Sequence, residues 1–281
     1  ITDADGDVDA DTHTITITDG ANPQDAATQS VTLDEDDLPD GSSTNVPALT
    51  QVATLAFTAG SDTLGSFVFT GIGGLDTDAN DGTAGGTIVW VMSPGDREIK
   101  GYVNGDAMTG QLAITLTLGG ATSIDPNLAG NVTVTVTLAD NFANIFADNL
   151  QTSFDLGSVT VQGSDGDDTV TGVVNVTVID DVPSVEIAPA VADDTPATDT
   201  VAENGANLSG AITLVEGADQ DATLVISGTG FADMSFTLNG AADVTLVRTV
   251  MNGPDELGVL SVTVNAGGAA SWTFNPSLDV A

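Results

Sequence analysis

The sequence predicts an all-β chain of antiparallel, Ig-like β-sandwich domains in series, and three observations support this. Apolar and polar residues alternate with period two in many short segments, a pattern typical of half-buried strands. Clusters of Gly, Asp, Asn and Pro separate these segments, and no stretch has a convincing helical period. The acids are 35 Asp and only 6 Glu, and Asp favours turns where Glu favours helices.

Each alternating segment is rich in β-branched residues and predicts one strand. In chain order these segments are Thr12–Thr18, Val52–Thr58, Gln111–Leu118, Asn131–Leu138, Asn175–Ile179, Ala211–Val215, Ala222–Ser227, Asp243–Val250, Val259–Asn265 and Ser271–Phe274. Trp90 and Trp272 share the apolar side of short alternating runs, so we expect both in hydrophobic cores.

An internal repeat supports tandem domains. Asp5-Gly6-Asp7, followed by TITITD at 14–19, recurs 160 or 161 residues later as Asp165-Gly166-Asp167 and NVTVID at 175–180. Both copies continue to a proline, and each indicates an acidic turn, a long final strand and an exit from the domain.

The repeat predicts domain ends near residues 22 and 182. Residues 1–22 are expected to be the last strand of a preceding domain or a strand that completes another one. Residues 23–182 form a whole sandwich domain in this interpretation, and residues 183–281 form a second, smaller one. Because the chain starts without Met, we interpret it as a segment of a longer polypeptide.

Composition excludes several functional classes. With 3 Lys and Arg against 41 acids, the chain cannot displace counterions from nucleic-acid phosphates. The lack of Cys excludes disulfides and thiolate-ligated zinc, and a triad would have to use the single His13. We therefore expect no enzymatic activity, and the absence of a long apolar run argues against membrane insertion by this segment.

A formal charge of −38 would destabilise a compact fold through self-repulsion, so we expect bound divalent cations. Short carboxylates clustered in loops are suited to Ca²⁺, which takes 6–8 oxygen ligands in flexible geometry. The first cluster, Asp3 to Asp11, alternates around Gly6, which can turn the chain so that several carboxylates converge. It is not an EF-hand, because the twelfth position is Thr14.

The second cluster, Asp34 to Asp37, opens the main domain. In tandem domains, the acidic end of one domain should meet the acidic start of the next, with a shared Ca²⁺ stiffening the junction. This predicts Asp19 near Glu35 and Asp36. It also predicts Asp180 or Asp181 near acids of the next domain, namely Asp193, Asp194 and Glu203.

Two further clusters complete the candidate metal ligands. The predicted ligands over the whole chain are Asp3, Asp5, Asp7, Asp9, Asp19, Glu35, Asp36, Asp37, Asp76, Asp78, Asn80, Asp81, Asp165, Asp167, Asp168, Asp180, Asp181, Asp193, Asp194 and Glu203. The competing interpretation is that these are solvated acids of ordinary turns.

The sequence also resembles a known family. LDEDDLPDG at 33–41, the acidic exit at 163–185, and the segments 193–216 and 258–276 resemble the tandem extender-type domains of giant repeats-in-toxin (RTX) bacterial adhesins. These adhesins are exported by type I secretion. The glycine-rich nonapeptide repeats of calcium β-rolls are missing here.

The resemblance implies an extracellular segment on a bacterial cell surface. Its domains would be calcium-stiffened spacers that project a ligand-binding module for cell adhesion and biofilm formation. The expected partners are neighbouring domains of the same polypeptide, and the segment itself is expected to be a monomer. The alternative is that one of these domains is itself a calcium-dependent binding module for a glycan or protein, through loops such as Gly71–Gly86.

Overall fold

The computed structural model of the chain is almost entirely β. It describes residues 1–18, 20–39, 41–42, 49–77, 87–103, 105–142, 153–189, 201, 205–218, 222–238, 242–266 and 268–277. The helical element in these ranges is a single 3-10 turn, Glu35–Asp37. No helix of the described residues is long and apolar enough to cross a bilayer.

Strand pairing divides the described residues into an N-terminal unit, β1 to β10, and a C-terminal unit, β11 to β17. The N-terminal strands are β1 Gln29–Asp34, β2 Thr50–Thr58, β3 Leu64–Phe69, β4 Val89–Met92, β5 Glu98–Val103, β6 Gln111–Gly120, β7 Ser123–Ile124, β8 Ala129–Leu138, β9 Ser153–Ser164 and β10 Thr169–Ile179. The C-terminal strands are β11 Ser184–Ile187, β12 Leu208–Val215, β13 Thr223–Ile226, β14 Met234–Thr237, β15 Val244–Asn252, β16 Asp255–Val264 and β17 Ala270–Pro276.

Two five-stranded sheets make up the N-terminal unit, with the orders β1-β10-β9-β3-β7 and β2-β8-β6-β5-β4. Alternate residues of each strand are buried, and the buried faces of both sheets share one hydrophobic core. The rings of Phe57 on β2 and Phe67 on β3 make direct contact between the sheets, with centroids 5.2 Å apart. Trp90 lies in this core, as predicted.

One edge of the N-terminal unit departs from the antiparallel pairing predicted for its sheets. β1 pairs with β10 in parallel, with Asp34 opposite Ile179. The first and last strands of the unit therefore run in the same direction and end side by side. Two parallel strands cannot be joined by a hairpin and need a long connection. Here the connection in sequence is the rest of the unit, β2 to β9.

The C-terminal unit is smaller. Its five-stranded sheet has the order β11-β12-β17-β16-β15, and β13 and β14 form a separate two-stranded sheet. Residues of both sheets, including Phe236 and Val262, share a second core, and Trp272 packs half-buried against it.

The strand predicted at Thr12–Thr18 is absent from the structure. Residues 9–18 pair with no strand of the described chain, and all of them are exposed. Ile15 and Ile17 are 77% and 91% exposed, so the apolar face of this segment contacts no core. An alternating sequence supplies a strand only where a neighbouring strand accepts its backbone hydrogen bonds.

Candidate metal centre

Parallel pairing of β1 with β10 brings two acidic segments to one end of the N-terminal unit. The 3-10 turn Glu35–Asp37 follows β1 directly, and Asp180 and Asp181 follow β10. Strands that run in the same direction in register end at the same edge, so the two acidic segments meet there. Glu35, Asp180 and Asp181 are buried, with 0%, 7% and 3% of their surface exposed.

Asp181 connects three parts of the chain. Its Oδ2 accepts hydrogen bonds from the backbone N–H of Ser42, at 2.7 Å, and of Ala218, at 3.0 Å. Its Oδ1 accepts the hydroxyl of Ser42 at 2.5 Å. Ala218 belongs to the C-terminal unit but is buried against the core of the N-terminal unit. The carboxylate of Asp181 therefore lies at the contact between the two units.

The 3-10 turn is held from both ends. The side chain of Asp34 caps it by accepting the backbone N–H of Asp36 at 3.3 Å. Glu35 turns inward, and its Oε1 accepts the backbone N–H of Phe142 at 2.6 Å. A buried carboxylate is tolerated only where such donors replace water.

The negative charges of Asp34 to Asp37, Asp180 and Asp181 destabilise the folded protein. Burial raises the pKa of Asp34 from 3.8 to about 6, and neighbouring carboxylates add to the effect. Burial also raises the pKa of Asp36, and the charges of Asp37 and Asp181 raise it further. Both shifts indicate carboxylates that are partly removed from water, with neighbouring negative charges adding to the effect. We call Asp34, Glu35, Asp36, Asp37, Asp180 and Asp181 the junction cluster.

A second group of carboxylates lies in the N-terminal segment. Asp3, Asp5 and Asp7 each offer an oxygen, and these oxygens lie within 4.8 Å of one another. A tight turn gathers them: the carboxylate of Asp3 accepts the N–H groups of Gly6 and Asp7, and Thr2 bridges to Val8. Hydrogen bonds with the Asp5 side chain and then the Asp7 backbone lower the pKa of Asp3.

Of the other predicted ligands, Asp9 is exposed beside the turn of Asp3 to Asp7 but is not part of the convergent group. Asp165, Asp167 and Asp168 form a turn in which Asp165 accepts the N–H of Asp168 at 2.8 Å. Asp76 is exposed at the end of a loop. Seven predicted ligands lie outside the described residues, namely Asp19, Asp78, Asn80, Asp81, Asp193, Asp194 and Glu203.

Both clusters offer the carboxylate oxygens that calcium binds, but they differ in how closely these oxygens converge. The Asp3, Asp5 and Asp7 carboxylates converge closely enough to share one cation, but they are exposed, and exposed acids often gather without a metal. In the junction cluster, Glu35, Asp180 and Asp181 are buried, and the pKa values of Asp34 and Asp36 are raised. Its oxygens do not converge in threes as those of the exposed group do. Among the described residues, Asp3, Asp5 and Asp7 are therefore the better preformed site.

Sequence reasoning missed two features of this region. It predicted Asp180 or Asp181 near Asp193, Asp194 or Glu203, which lie outside the described residues. It did not foresee that Asp181 lies close enough to Asp36 of its own unit to raise the pKa of that residue. It also gave no role to Ser42 or Ala218, which supply donors to Asp181. The closeness of Asp181 to Asp36 depends on the parallel pairing of β1 with β10, and no local sequence pattern predicts that pairing.

No protein-family model, curated protein or solved structure matches this chain at a significant level.

Proposed function

We propose that this chain is a calcium-rigidified spacer of a large bacterial cell-surface adhesin, in which Ig-like β-sandwich units in series project a ligand-binding module for adhesion and biofilm formation. The neighbouring units of the same extracellular polypeptide are its partners. The observation that carries the proposal is the position of the junction cluster. One of its carboxylates, Asp181, accepts hydrogen bonds from Ser42 of the N-terminal unit and Ala218 of the C-terminal unit, so the cluster reaches the contact between the two units.

Strand order supports the Ig-like interpretation. In an Ig-like sandwich, strands B, E and D lie side by side in one sheet, and G, F and C in the other. The N-terminal unit has the same order if β2, β8 and β6 take the places of B, E and D, and β10, β9 and β3 those of G, F and C. The two sheets share one core, as the layers of a sandwich do.

Calcium is the natural counter-charge for the two acidic clusters. The chain has 41 acids and 3 Lys and Arg, so ion pairs within the protein cannot neutralise them. A cation at the junction cluster would offset the repulsion between Asp34, Asp36 and Asp181, because each carboxylate would be attracted to the same ion. Because Asp181 also holds Ala218 of the C-terminal unit, that attraction would restrict rotation of one unit against the other.

The spacer role predicts that calcium narrows the range of distances between the units. Because the chain lacks Cys, Thr117→Cys and Thr249→Cys introduce exactly two attachment sites for spin labels. Both positions are exposed, one in each unit. We expect the distance distribution from pulsed electron spin resonance to narrow in millimolar calcium and to broaden in chelator.

A matched pair of variants tests whether the junction cluster is responsible. Asp36→Asn in the labelled protein should abolish the narrowing, because it removes a half-buried carboxylate whose pKa is raised partly by the charge of Asp181. Asp62→Asn removes an exposed acid away from the junction cluster and should leave the narrowing intact. Equal widths with calcium and with chelator in the unsubstituted chain would contradict the spacer function.

A further inference from the structure

The four methionines of the chain differ in how far the fold shields them. They are Met92, Met108, Met234 and Met251, and the structure describes all four. Met234 is completely buried, and Met251 on β15 is half-buried. Met92 on β4 is also half-buried and packs against the core of the N-terminal unit. Met108, in contrast, is 93% exposed, so its thioether is open to solvent.

Met108 lies in the turn between β5 and β6, and Asp106 fixes the backbone of that turn. Oδ1 of Asp106 accepts the N–H groups of Met108, at 2.9 Å, and of Thr109, at 3.0 Å. It also accepts the hydroxyl of Thr109 at 2.9 Å. The carbonyl oxygen of Asp106 accepts the N–H of Gly110 at 2.6 Å. Bonds of this kind make an Asx turn, which therefore holds its shape without using the Met108 side chain.

The surroundings of this turn are negatively charged. Hydrogen bonds from Met108 and then from Thr109 lower the pKa of Asp106, so its carboxylate is ionised at neutral pH. The chain as a whole has a formal charge of −38. Such a surface repels anions and leaves the local concentration of neutral molecules unchanged. Small uncharged reagents therefore reach Met108 more readily than anionic reagents do.

We propose that Met108 is a modification site of the folded protein, at which hydrogen peroxide and other uncharged peroxides oxidise the side chain to methionine sulfoxide. The sulfur attacks one peroxide oxygen, so an S–O bond forms while the O–O bond breaks. The sulfur is oxidised by two electrons and the peroxide is reduced. The proton on the transferred oxygen passes to the departing hydroxide, which becomes water. The chain has no Cys to compete for the oxidant.

Oxidation of Met108 should leave the fold intact. An exposed side chain buries almost no apolar surface, so its conversion into a polar side chain removes almost no packing energy. Oxidation of Met234 would instead place a polar group in the core of the C-terminal unit. The modification therefore changes the surface of one turn, and methionine sulfoxide reductases can reverse it.

Peroxide treatment followed by peptide mass spectrometry tests the site in the full chain. With dilute hydrogen peroxide in chelator, Met108 should be oxidised roughly tenfold or more faster than Met92, Met234 and Met251. In urea the four rates should converge, because unfolding exposes every thioether. If Met92 or Met251 were oxidised as fast as Met108 in the native chain, the proposal would be overturned. Chelator makes this test independent of calcium and of the spacer function.

Two matched variants assign the fast reaction to one residue. Met108→Leu should remove the fast phase of peroxide consumption, whereas Met251→Leu should retain it. Native chain in which Met108 alone has been oxidised should melt at the same temperature as untreated chain. A lower melting temperature at that stage would show that the Met108 side chain supports the fold, which is contrary to the proposal.

A comparison with peroxomonosulfate, an anionic peroxide, tests the preference for uncharged oxidants. Its reaction with Met108 should accelerate as sodium chloride rises from about 0.01 M to about 0.5 M, because salt screens the negative surface. The rate with hydrogen peroxide should stay constant over the same range. An equal effect of salt on the two reagents would contradict selection of the oxidant by charge.

Discussion

Asp181 makes a direct hydrogen-bonded contact between the two units. It accepts hydrogen bonds from two residues, Ser42 and Ala218, that are distant in sequence from it and from each other. Its burial means that water cannot replace these bonds if the carboxylate is lost.

We predict that Asp181→Ala lowers the free energy of unfolding by about 2–4 kcal/mol, because it leaves buried donors without an acceptor. Urea denaturation in chelator measures this loss without a contribution from metal. Asp62→Ala, at an exposed position, is the control and should change stability by less than about 0.5 kcal/mol. Equal stabilities of the two variants would remove Asp181 from its structural role.

The pKa of Asp34 predicts a pH dependence with a definite sign. The folded value of about 6 exceeds the ordinary 3.8, so the native state holds this proton more tightly than the unfolded chain does. In chelator, the contribution of Asp34 to the free energy of unfolding should therefore decrease as pH rises from about 4 to above 6. Because Asp34 is only half-buried and solvent screens the effect, we expect a loss of about 1 kcal/mol.

Asp34→Asn should remove this pH dependence and keep the cap of the 3-10 turn, since Asn also accepts the N–H of Asp36. Calcium should reverse the slope, because the metal binds deprotonated carboxylates. Denaturation series from pH 4 to 7, with chelator and with calcium, measure both slopes. The same slope in the two series would be inconsistent with calcium at the junction cluster.

At the scale of elements, alternation located most of the strands but not their partners. The predicted segments at 52–58, 111–118 and 131–138 lie within β2, β6 and β8. Alternation has a period of two whatever the neighbour, so it identifies a strand without giving its direction or pairing. This is why the parallel β1–β10 edge was missed, and why 12–18 was predicted as a strand although nothing in the described chain pairs with it.

The ladder between β9 and β10 contains one irregularity that only glycine allows. Gly157 lies at φ 88°, at the shift in register opposite Val176 and Thr177, and Leu75 bridges to it. A Cβ atom there would lie 2.2 Å from the carbonyl oxygen of Gly74. The close approach of the loop to the strand therefore requires glycine.

Gly157→Ala should destabilise the protein by at least about 2 kcal/mol, through the left-handed backbone and the clash together. Gly73→Ala, in the same loop, meets no atom within 4 Å and is the matched control. Thermal denaturation of both variants in chelator gives the comparison. A loss for Gly157→Ala as small as that for Gly73→Ala would mean that the loop shifts aside without cost.

At the scale of the whole molecule, composition predicted an all-β chain and the repeat predicted where its sheets could divide. The sequence predicted both acidic clusters, but it did not predict that one is exposed and that the other is partly buried. Asp3, Asp5 and Asp7 converge through a local turn, which close spacing around Gly6 can predict. The junction cluster depends on contacts such as Asp181 with Ser42, 139 residues apart, which only the fold brings together.

The measurement that tests the central claim most directly is calorimetric unfolding with calcium and with chelator. The claim is that calcium neutralises these carboxylates in the native state. Each site filled at one hundred times its dissociation constant adds about 2.7 kcal/mol to the free energy of unfolding. We predict a melting temperature many degrees higher in millimolar calcium than in chelator, with magnesium at the same ionic strength giving a smaller shift. Identical melting curves in calcium and in chelator would contradict the account.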